Sequence, residues 1–279
     1  MTSHDVVARV RRGLRVKKVG HAGTLDPMAT GVLIVCLGTA TRLSEYVMQS
    51  TKRYRARVRL GATTDTYDAD GEILSETDAS HITFEDVERA VIPFLGDIAQ
   101  VPPMYSAIKQ GGRKLYKLAR AGETVERAPR AVSIVALEVS EWASPEFTLD
   151  VTCSAGTYIR SLAYDIGAIL GVGAHLAGLV RTASGFFTLE NAVSLDELTA
   201  AEGGWWRAHL VRPQDALRDW PTVSLNEIDA DHIRHGRTIS GADMTDDTLA
   251  WALEADGSLL AVLRAEAGIW QPHKVFLTE

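Results

Sequence analysis

The spacing of apolar residues along the chain predicts a mixture of helices and short strands. Apolar Val6, Val7 and Val10 follow Ser3 at helical spacing, which predicts a helix with Ser3 as its N-cap. The segment YRARVRL (54–60) alternates strictly between apolar and basic residues, which predicts a strand with one buried face. Further predicted elements are a helix from Thr83, paired strands over 132–139 and 147–153, and a helix over 158–170.

The pattern changes towards the C-terminus, where short apolar runs follow one another around turns. Strands are predicted over 250–254 and 258–263, joined by an Asp-Gly turn at 256–257. The sequence therefore predicts one large domain over residues 1–213 and a small β-rich domain over 221–279.

A loop rich in glycine and proline precedes a buried apolar run over 32–37. This loop, GHAGTLDPMATG (20–31), contains a single carboxylate, Asp26. Two interpretations remain open from these residues alone. Asp26 forms a turn with its own backbone before Pro27, as Asp-Pro sequences often do. Alternatively, it is a catalytic carboxylate, since such groups often lie on loops held by a rigid scaffold.

The distribution of charge along the chain says more about a possible partner than the overall composition does. The chain has 279 residues, of which 46% are hydrophobic, which excludes a wholly disordered chain. Its net charge of −7 argues against a nucleic-acid partner, yet residues 1–60 alone carry a net +9 and residues 109–130 a net +5. Such asymmetry predicts a nucleic-acid surface on an acidic body, and a solvated charged face is the alternative.

Several other classes of site and location are disfavoured. Cys36 and Cys153 are far apart and form no CxxC pair, which is typical of a reducing compartment. The apolar run 32–37 is too short to span a membrane, so we expect a cytoplasmic protein. The acidic stretch 65–76 lacks the ligand spacing of a calcium loop and reads as a polar turn. His232 and His235 have no third ligand nearby in the sequence, so no metal is expected.

Five motifs follow one another in a fixed order up to about Pro213. The motifs are GHAGTLDPMATGVL, KRYRARVRLGATTDTYDADG, VPPMYSAIKQGGRKLYKLAR, CSAGTYIRSLAYDIG and GAHLAGLVR. Together they resemble the TruB family of pseudouridine synthases, whose bacterial members are the tRNA pseudouridine-55 synthases.

The resemblance implies an α+β pseudouridine synthase fold. Its sheet is expected to be mixed and largely antiparallel, flanked by helices and loops, with a PUA-like domain over 221–279. Residues 102–130 would be the family's RNA-clamping insertion. The family usually begins with a strand that ends in a Lys-Pro-x-Gly turn, whereas this chain starts directly at the helix that follows it. We therefore expect that strand to be missing or the start to lie downstream of the true one.

The resemblance also assigns residue roles. Asp26 would be the catalytic aspartate, Arg160 its ionic partner, and Tyr54 the residue that stacks on the base and helps to remove the C5 proton. Tyr158 and Leu179 would line the uracil pocket, and His21 would contact the RNA where the base leaves the stack. The expected contacts to the RNA backbone are Arg42, Lys52, Arg55, Arg57, Arg59, Lys109, Arg113, Lys114 and Arg181.

The implied function is isomerisation of uridine 55 in the T-loop of tRNA, with an aspartate nucleophile acting on a flipped-out base. No electron or group is gained in this reaction, so no cofactor is expected. The expected partner is the T-arm of tRNA, without a guide RNA, and the protein is expected to be a monomer. Two alternatives remain: a tRNA-binding folding helper without catalysis, and a guide-dependent relative of the dyskerin type.

Overall fold

The computed structural model describes residues 1–200, 204–241 and 243–276. The chain forms two compact units, and its last passage from the first to the second is at residues 200–201. The first unit contains Met1–Cys36 and Ser44–Ala200, and the second contains Leu37–Leu43 and the chain from Ala201 onwards. The sequence-based division between residues 213 and 221 stays a prediction.

The first unit contains most of the regular structure. Its helices are α1 (Ser3–Leu14), α2 (Ser44–Met48), α3 (Phe84–Val91), α4 (Leu115–Arg120), α5 (Ile159–Leu170) and α6 (Leu195–Ala200). Its strands are β1 (Val19–Ala22), β2 (Thr30–Gly31), β3 (Ile34–Leu37), β4 (Lys52–Leu60), β5 (Ala62–Thr64), β6 (Ile73–Glu76), β7 (Gly96–Gln100), β8 (Lys109–Gln110), β9 (Arg113–Lys114), β10 (Arg130–Ala143), β11 (Glu146–Cys153), β12 (Ala174–Ser184) and β13 (Phe187–Thr188).

A seven-stranded sheet forms the centre of this unit. Its strand order is β13-β12-β4-β11-β10-β7, with β2 beside β12. The β2–β12 pair is parallel and the other pairs are antiparallel, so the predicted mixed, largely antiparallel sheet is confirmed. Because β4 lies between β11 and β12, Tyr54 is paired with both Val151 and Arg181.

Helix α5 packs on the apolar face of this sheet and fixes one wall of the core. Leu162 and Ile166 of α5 are buried in one cluster with Ala56 and Val58 of β4. The helix approaches β12 so closely that a Cβ atom at Gly167 would lie 2.2 Å from the backbone nitrogen of Ala174. This packing determines where the first turn of α5, which carries Arg160, lies.

Helix α1 begins one residue earlier than the sequence predicts. Thr2, not Ser3, is the N-cap: its hydroxyl accepts a hydrogen bond from Asp5 N, and the Asp5 carboxylate accepts one from Thr2 N. Ser3 is instead 4% exposed, and its hydroxyl accepts a hydrogen bond from Leu25 N over 2.9 Å. The first turn of α1 is therefore attached to the loop that carries Asp26.

The second unit is small and β-rich, as predicted. Trp270, Leu263 and Ile233 lie in its core. Its five-stranded sheet has the order β14-β16-β17-β18-β15. Its helices and strands are α7 (Pro213–Ala216), α8 (Glu227–Arg234), β14 (Thr222–Ser224), β15 (Ile239–Ser240), β16 (Leu249–Leu253), β17 (Leu259–Glu266) and β18 (Ile269–Val275).

Candidate active site

The Asp26 loop joins β1 to β2, and its carboxylate is bound by an arginine from α5. The backbone makes a turn here, because Ala29 N donates to Asp26 O over 2.9 Å. The Asp26 side chain takes no part in that turn. Its Oδ1 accepts from Arg160 Nη2 over 2.8 Å and its Oδ2 accepts from Arg160 Nε over 3.0 Å. This two-point geometry is strong and directional, and it favours the second interpretation of Asp26 over the local turn.

Arg160 is itself held by three further groups. Its guanidinium donates to Thr66 O over 3.1 Å and to Tyr105 O over 2.9 Å, and Nη1 lies 3.3 Å from Asp68 Oδ2. The side chain is 5% exposed, so it has little freedom to leave this position. Arg160 therefore links the Asp26 loop to residues 66–68 and to the start of the 102–130 segment.

The groups around Asp26 have opposing effects on the pKa of its carboxyl group. Burial raises the pKa of its carboxyl group and is the largest influence, while the Arg160 guanidinium lowers that pKa and Asp68 and Asp70 raise it. The net pKa lies above the ordinary value for aspartate. The side chain is still 31% exposed, so a ligand can reach it.

Tyr54 and Leu179 lie on the core side of the sheet. Leu179 is buried in the main cluster, and Tyr54, Met28 and Ala29 pack against that cluster. Burial raises the pKa of the Tyr54 hydroxyl, and a hydrogen bond from Arg181 opposes that rise. This arrangement places an aromatic ring and apolar side chains beside the Asp26 loop.

Tyr158 precedes α5 and is positioned by Gln100. Gln100 Oε1 accepts from Tyr158 N over 2.7 Å, and Gln100 Nε2 donates to Tyr158 O over 3.0 Å. Burial raises the pKa of Tyr158, and the Asp26 charge contributes to the raised pKa of both Tyr158 and Tyr54. The structure therefore brings Asp26, Arg160, Tyr54 and Tyr158 within electrostatic range of one another.

His21 lies on β1, on the entry side of the Asp26 loop. Its ring meets that of His4 edge to face, with 5.4 Å between the ring centroids. Burial lowers the pKa of His21, and the neighbouring His4 and Arg181 lower it further. Within the described part of the chain, its Nδ1 atom is buried and has no hydrogen-bond partner.

Two residues that we expected to contact the RNA backbone are buried, which corrects that expectation. Arg181 is 1% exposed: its Nε donates to Val32 O over 2.7 Å and its Nη2 to Gly23 O over 3.1 Å. Lys52 is 5% exposed, and its Nζ donates to Met48 O and Ser50 O. Residue type predicted basic side chains at the surface, but both are used to hold loops of the protein.

Arg55, Arg57 and Arg59 are exposed, but they lie on the other face of β4 from Tyr54. Successive side chains of a strand point to opposite faces, and in β4 the even-numbered residues face the core. Arg55 pairs with Glu141 and Asp150, and Arg57 pairs with Glu146. All three arginines therefore lie on the face of β4 opposite to Tyr54, and two of them have acidic partners. Their contacts with the RNA backbone stay predictions.

The remaining expected backbone contacts are at the surface. Lys109 and Arg113 are exposed on β8 and β9, where Arg113 pairs with Glu123, and Lys114 lies 5.6 Å from the Tyr116 ring. Arg42 belongs to the second unit, donates to Val275 O over 2.6 Å and lies over the Phe276 ring. Their contacts with RNA stay predictions.

Sequence reasoning missed the residues that support the site. Asp68 was assigned to a polar turn, yet it is 4% exposed and contacts Arg160. The contacts of Gln100 and Ser3 at the site carried no signal, because both residues act through hydrogen bonds to backbone far away in the sequence. The signal available for Asp68 was its place in the DTYDADG part of a family motif.

No cluster of three or more His, Cys, Asp or Glu side chains that could hold a metal ion occurs in residues 1–200, 204–241 and 243–276. Over the same residues, no helix is long and apolar enough to cross a membrane.

Two family models cover most of the chain. The description "TruB family pseudouridylate synthase (N terminal domain)" applies to residues 11–159, and "tRNA pseudouridylate synthase B C-terminal domain" applies to residues 160–219. The chain belongs to the TruB family of pseudouridylate synthases. The resemblance seen in its five motifs is thus confirmed.

Curated relatives and solved structures agree with this assignment. The tRNA pseudouridine synthase B of Symbiobacterium thermophilum is 52% identical over 239 residues, covering 85% of this chain and 78% of that protein. The protein of the same name from Dehalococcoides mccartyi is 43% identical, covering 100% and 94%. A chain in the crystal structure of a Cbf5-Nop10-Gar1 complex matches with a TM-score of 0.75 and 27% identity, covering 99% of this chain and 82% of that chain.

Proposed function

We propose that this member of the TruB family isomerises uridine 55 in the T-loop of tRNA to pseudouridine, with Asp26 as the nucleophile. The observation that carries the proposal is the Asp26–Arg160 pair. A partly exposed carboxylate is held at two points by a buried arginine, in a loop whose Met28 and Ala29 pack with Tyr54 against the core. A fixed, ionised carboxylate is suited to nucleophilic attack, and a cation beside it favours that ionised form.

The reaction is an isomerisation, so the atoms balance without a cofactor. The bond between ribose C1′ and uracil N1 breaks, the base rotates, and C1′ joins C5. The hydrogen lost from C5 is matched by one gained at N1. Asp26 attacks the flipped nucleotide, Tyr54 stacks on its base and helps to remove the C5 proton, and Leu179 and Tyr158 line the pocket. Extrusion of the base costs a few kcal/mol, which stacking on an aromatic ring helps to offset.

The test of the nucleophile is Asp26→Asn, which keeps the shape of the side chain and removes its charge. The variant should bind a tRNA transcript yet release no tritium from C5-labelled uridine. Asp97→Asn is the matched control, because Asp97 is exposed on β7, outside the site, and should retain wild-type turnover. Tritium release by Asp26→Asn at the wild-type rate would exclude Asp26 as the nucleophile.

Position specificity needs a separate test. Wild-type protein is incubated with a tRNA transcript and with the same transcript carrying cytidine at position 55, and pseudouridine is mapped along each RNA. We expect modification of the first transcript alone. Pseudouridine at another position of both transcripts would overturn the assignment to uridine 55 and leave the enzyme class intact.

A guide-dependent activity is the second candidate function. It is favoured by the match, at a TM-score of 0.72, to a chain in the structure of an H/ACA RNP bound to a substrate RNA containing 2′-deoxyuridine. The two candidates differ in one measurement. Conversion of free tRNA by the purified chain alone supports the stand-alone enzyme, whereas conversion only after a guide RNA is added supports the alternative.

A further inference from the structure

Helix α1 has one exposed side, which carries Arg11 and Arg12 in its last turn. Its buried side is formed by Val7 and Val10. His4 and Arg11 are seven residues apart, which is about two helical turns, so they lie on the same side of the helix. Arg15 caps the C-terminal end in a left-handed conformation. The chain then returns to His21 along β1.

Five cations in this region are exposed: Arg11, Arg12, Arg15, Lys17 and Lys18. Among the described residues, none of the five lies within salt-bridge distance of a carboxylate, although Arg11 donates to Val19 O over 3.3 Å. We call these five residues the α1–β1 basic surface. They differ from Arg9 of the same helix, which pairs with Asp196, and from Arg55 and Arg57 of β4, which pair with acids on their own sheet. The α1–β1 basic surface therefore keeps its charge available for an external anion.

The opposite end of α1 touches the candidate site directly. Ser3 exchanges hydrogen bonds with the backbone of Leu25, the residue before Asp26, over 2.9 and 3.3 Å. His4 meets the His21 ring. A helix of 12 residues is about 18 Å long, and one strand of duplex nucleic acid carries a phosphate about every 3.4 Å. The basic surface thus lies within about five phosphates of a nucleotide at Asp26.

We propose that the α1–β1 basic surface binds the sugar-phosphate backbone of the nucleotides next to the one that enters the site. The proposal rests on the proposed function, because it takes a tRNA as the ligand. Neutralisation of the C-terminal end of α1 is the rival explanation, since cations there stabilise a helix. That effect falls off within the last turn, so it gives no role to Lys17 and Lys18, which lie beyond it.

The test is the triple variant Arg12→Gln/Arg15→Gln/Lys17→Gln, which leaves the Arg11 hydrogen bond in place. Its dissociation constant for tRNA is measured at several salt concentrations, with Arg12→Lys/Arg15→Lys as the variant that keeps the charge. Each lost phosphate contact lowers the slope of log Kd against log salt by about 0.7 to 0.9. We expect the triple variant to lose about 2 in slope and to bind at least ~10-fold more weakly at low salt, and the lysine variant to keep the wild-type slope.

Arg9→Gln is the control for a single lost charge, since it removes one positive charge from the same helix at the residue that pairs with Asp196. Its slope should equal that of wild type. If wild type forms pseudouridine in tRNA but the triple variant keeps the wild-type slope, the basic surface is refuted and the proposed function stands. If wild type neither binds nor modifies tRNA, the proposed function itself fails. If the triple variant unfolds, the single variant Lys17→Gln replaces it, because Lys17 lies outside the helix. Its slope of log Kd against log salt must then fall by about 0.7 to 0.9.

Discussion

Arg181 is a cation in the interior that contacts both ends of the Asp26 loop. Its guanidinium donates to Gly23 O and Val32 O, and its charge lowers the pKa of the Tyr54 hydroxyl. Its backbone adds to this, because Val32 N donates to Arg181 O over 2.8 Å. Among the described residues no carboxylate lies within salt-bridge distance of Arg181, so backbone carbonyls must compensate its buried charge. Arg181 is therefore a positioning residue for Asp26 and Tyr54.

Replacing Arg181 with methionine should reduce turnover without abolishing tRNA binding. The loop would lose two charge-assisted hydrogen bonds, which contribute about 1.5–3 kcal/mol each, and a misplacement of ~1 Å costs turnover about 100-fold. Steady-state kinetics should show that fall in kcat with a smaller change in KM. If Arg181 instead bound a phosphate of the RNA, its replacement would raise KM and leave kcat unchanged. Arg181→Lys should recover part of kcat.

Asp68 and Arg160 should shift the pH profile of the reaction in opposite directions. In the proposed reaction Asp26 acts as a carboxylate, so the rate should fall as the pH drops through the pKa of Asp26. Asp68 raises that pKa and Arg160 lowers it. Asp68→Asn should therefore move the acidic limb of the single-turnover rate to lower pH, and Arg160→Met should move it to higher pH. Identical acidic limbs in wild type and both variants would show that Asp26 does not control the rate.

Prediction from sequence succeeded for elements that have one face in water. Strand β4 was predicted from its alternation, which exists because its odd residues are solvated. Strand β12 was not predicted, because buried residues occur on both of its faces and the alternation is lost. The same limit applies at the site. Motifs pointed to Asp26 and Arg160, whereas the burial of Arg181 and Lys52 depends on strands far away in the sequence.

The contact between α5 and β12 is a second feature that only the packing explains. Alanine is normally about 1 kcal/mol better than glycine inside a helix, but at Gly167 its Cβ would meet the Ala174 backbone at 2.2 Å. Gly167→Ala should thus destabilise the protein by about 1–3 kcal/mol and displace Arg160 at the start of α5. Denaturant unfolding and turnover measure the two effects. A gain in stability would mean that the helix and strand can move apart freely.

The net charge of −7 describes neither the site nor the surface beside it. Residues 1–60 carry a net +9 and residues 186–279 a net −9. Part of the positive charge is neutralised within the first unit, because Arg55 and Arg57 pair with acids. The five cations of the α1–β1 basic surface, by contrast, have no acidic partner within salt-bridge distance among the described residues. The acidic sum therefore coexists with a local field that attracts phosphate.

This segregation of charge predicts that the intact protein binds both to an anion exchanger and to immobilised heparin at pH 7.5 and low salt. A particle of uniform negative charge would be repelled by heparin, whereas a local cluster of cations is attracted and releases counterions on binding. The Arg12→Gln/Arg15→Gln/Lys17→Gln variant should elute from heparin at lower salt and from the anion exchanger at higher salt than wild type. Elution of wild type in the heparin flow-through would show that the acidic residues control the field everywhere on the molecule.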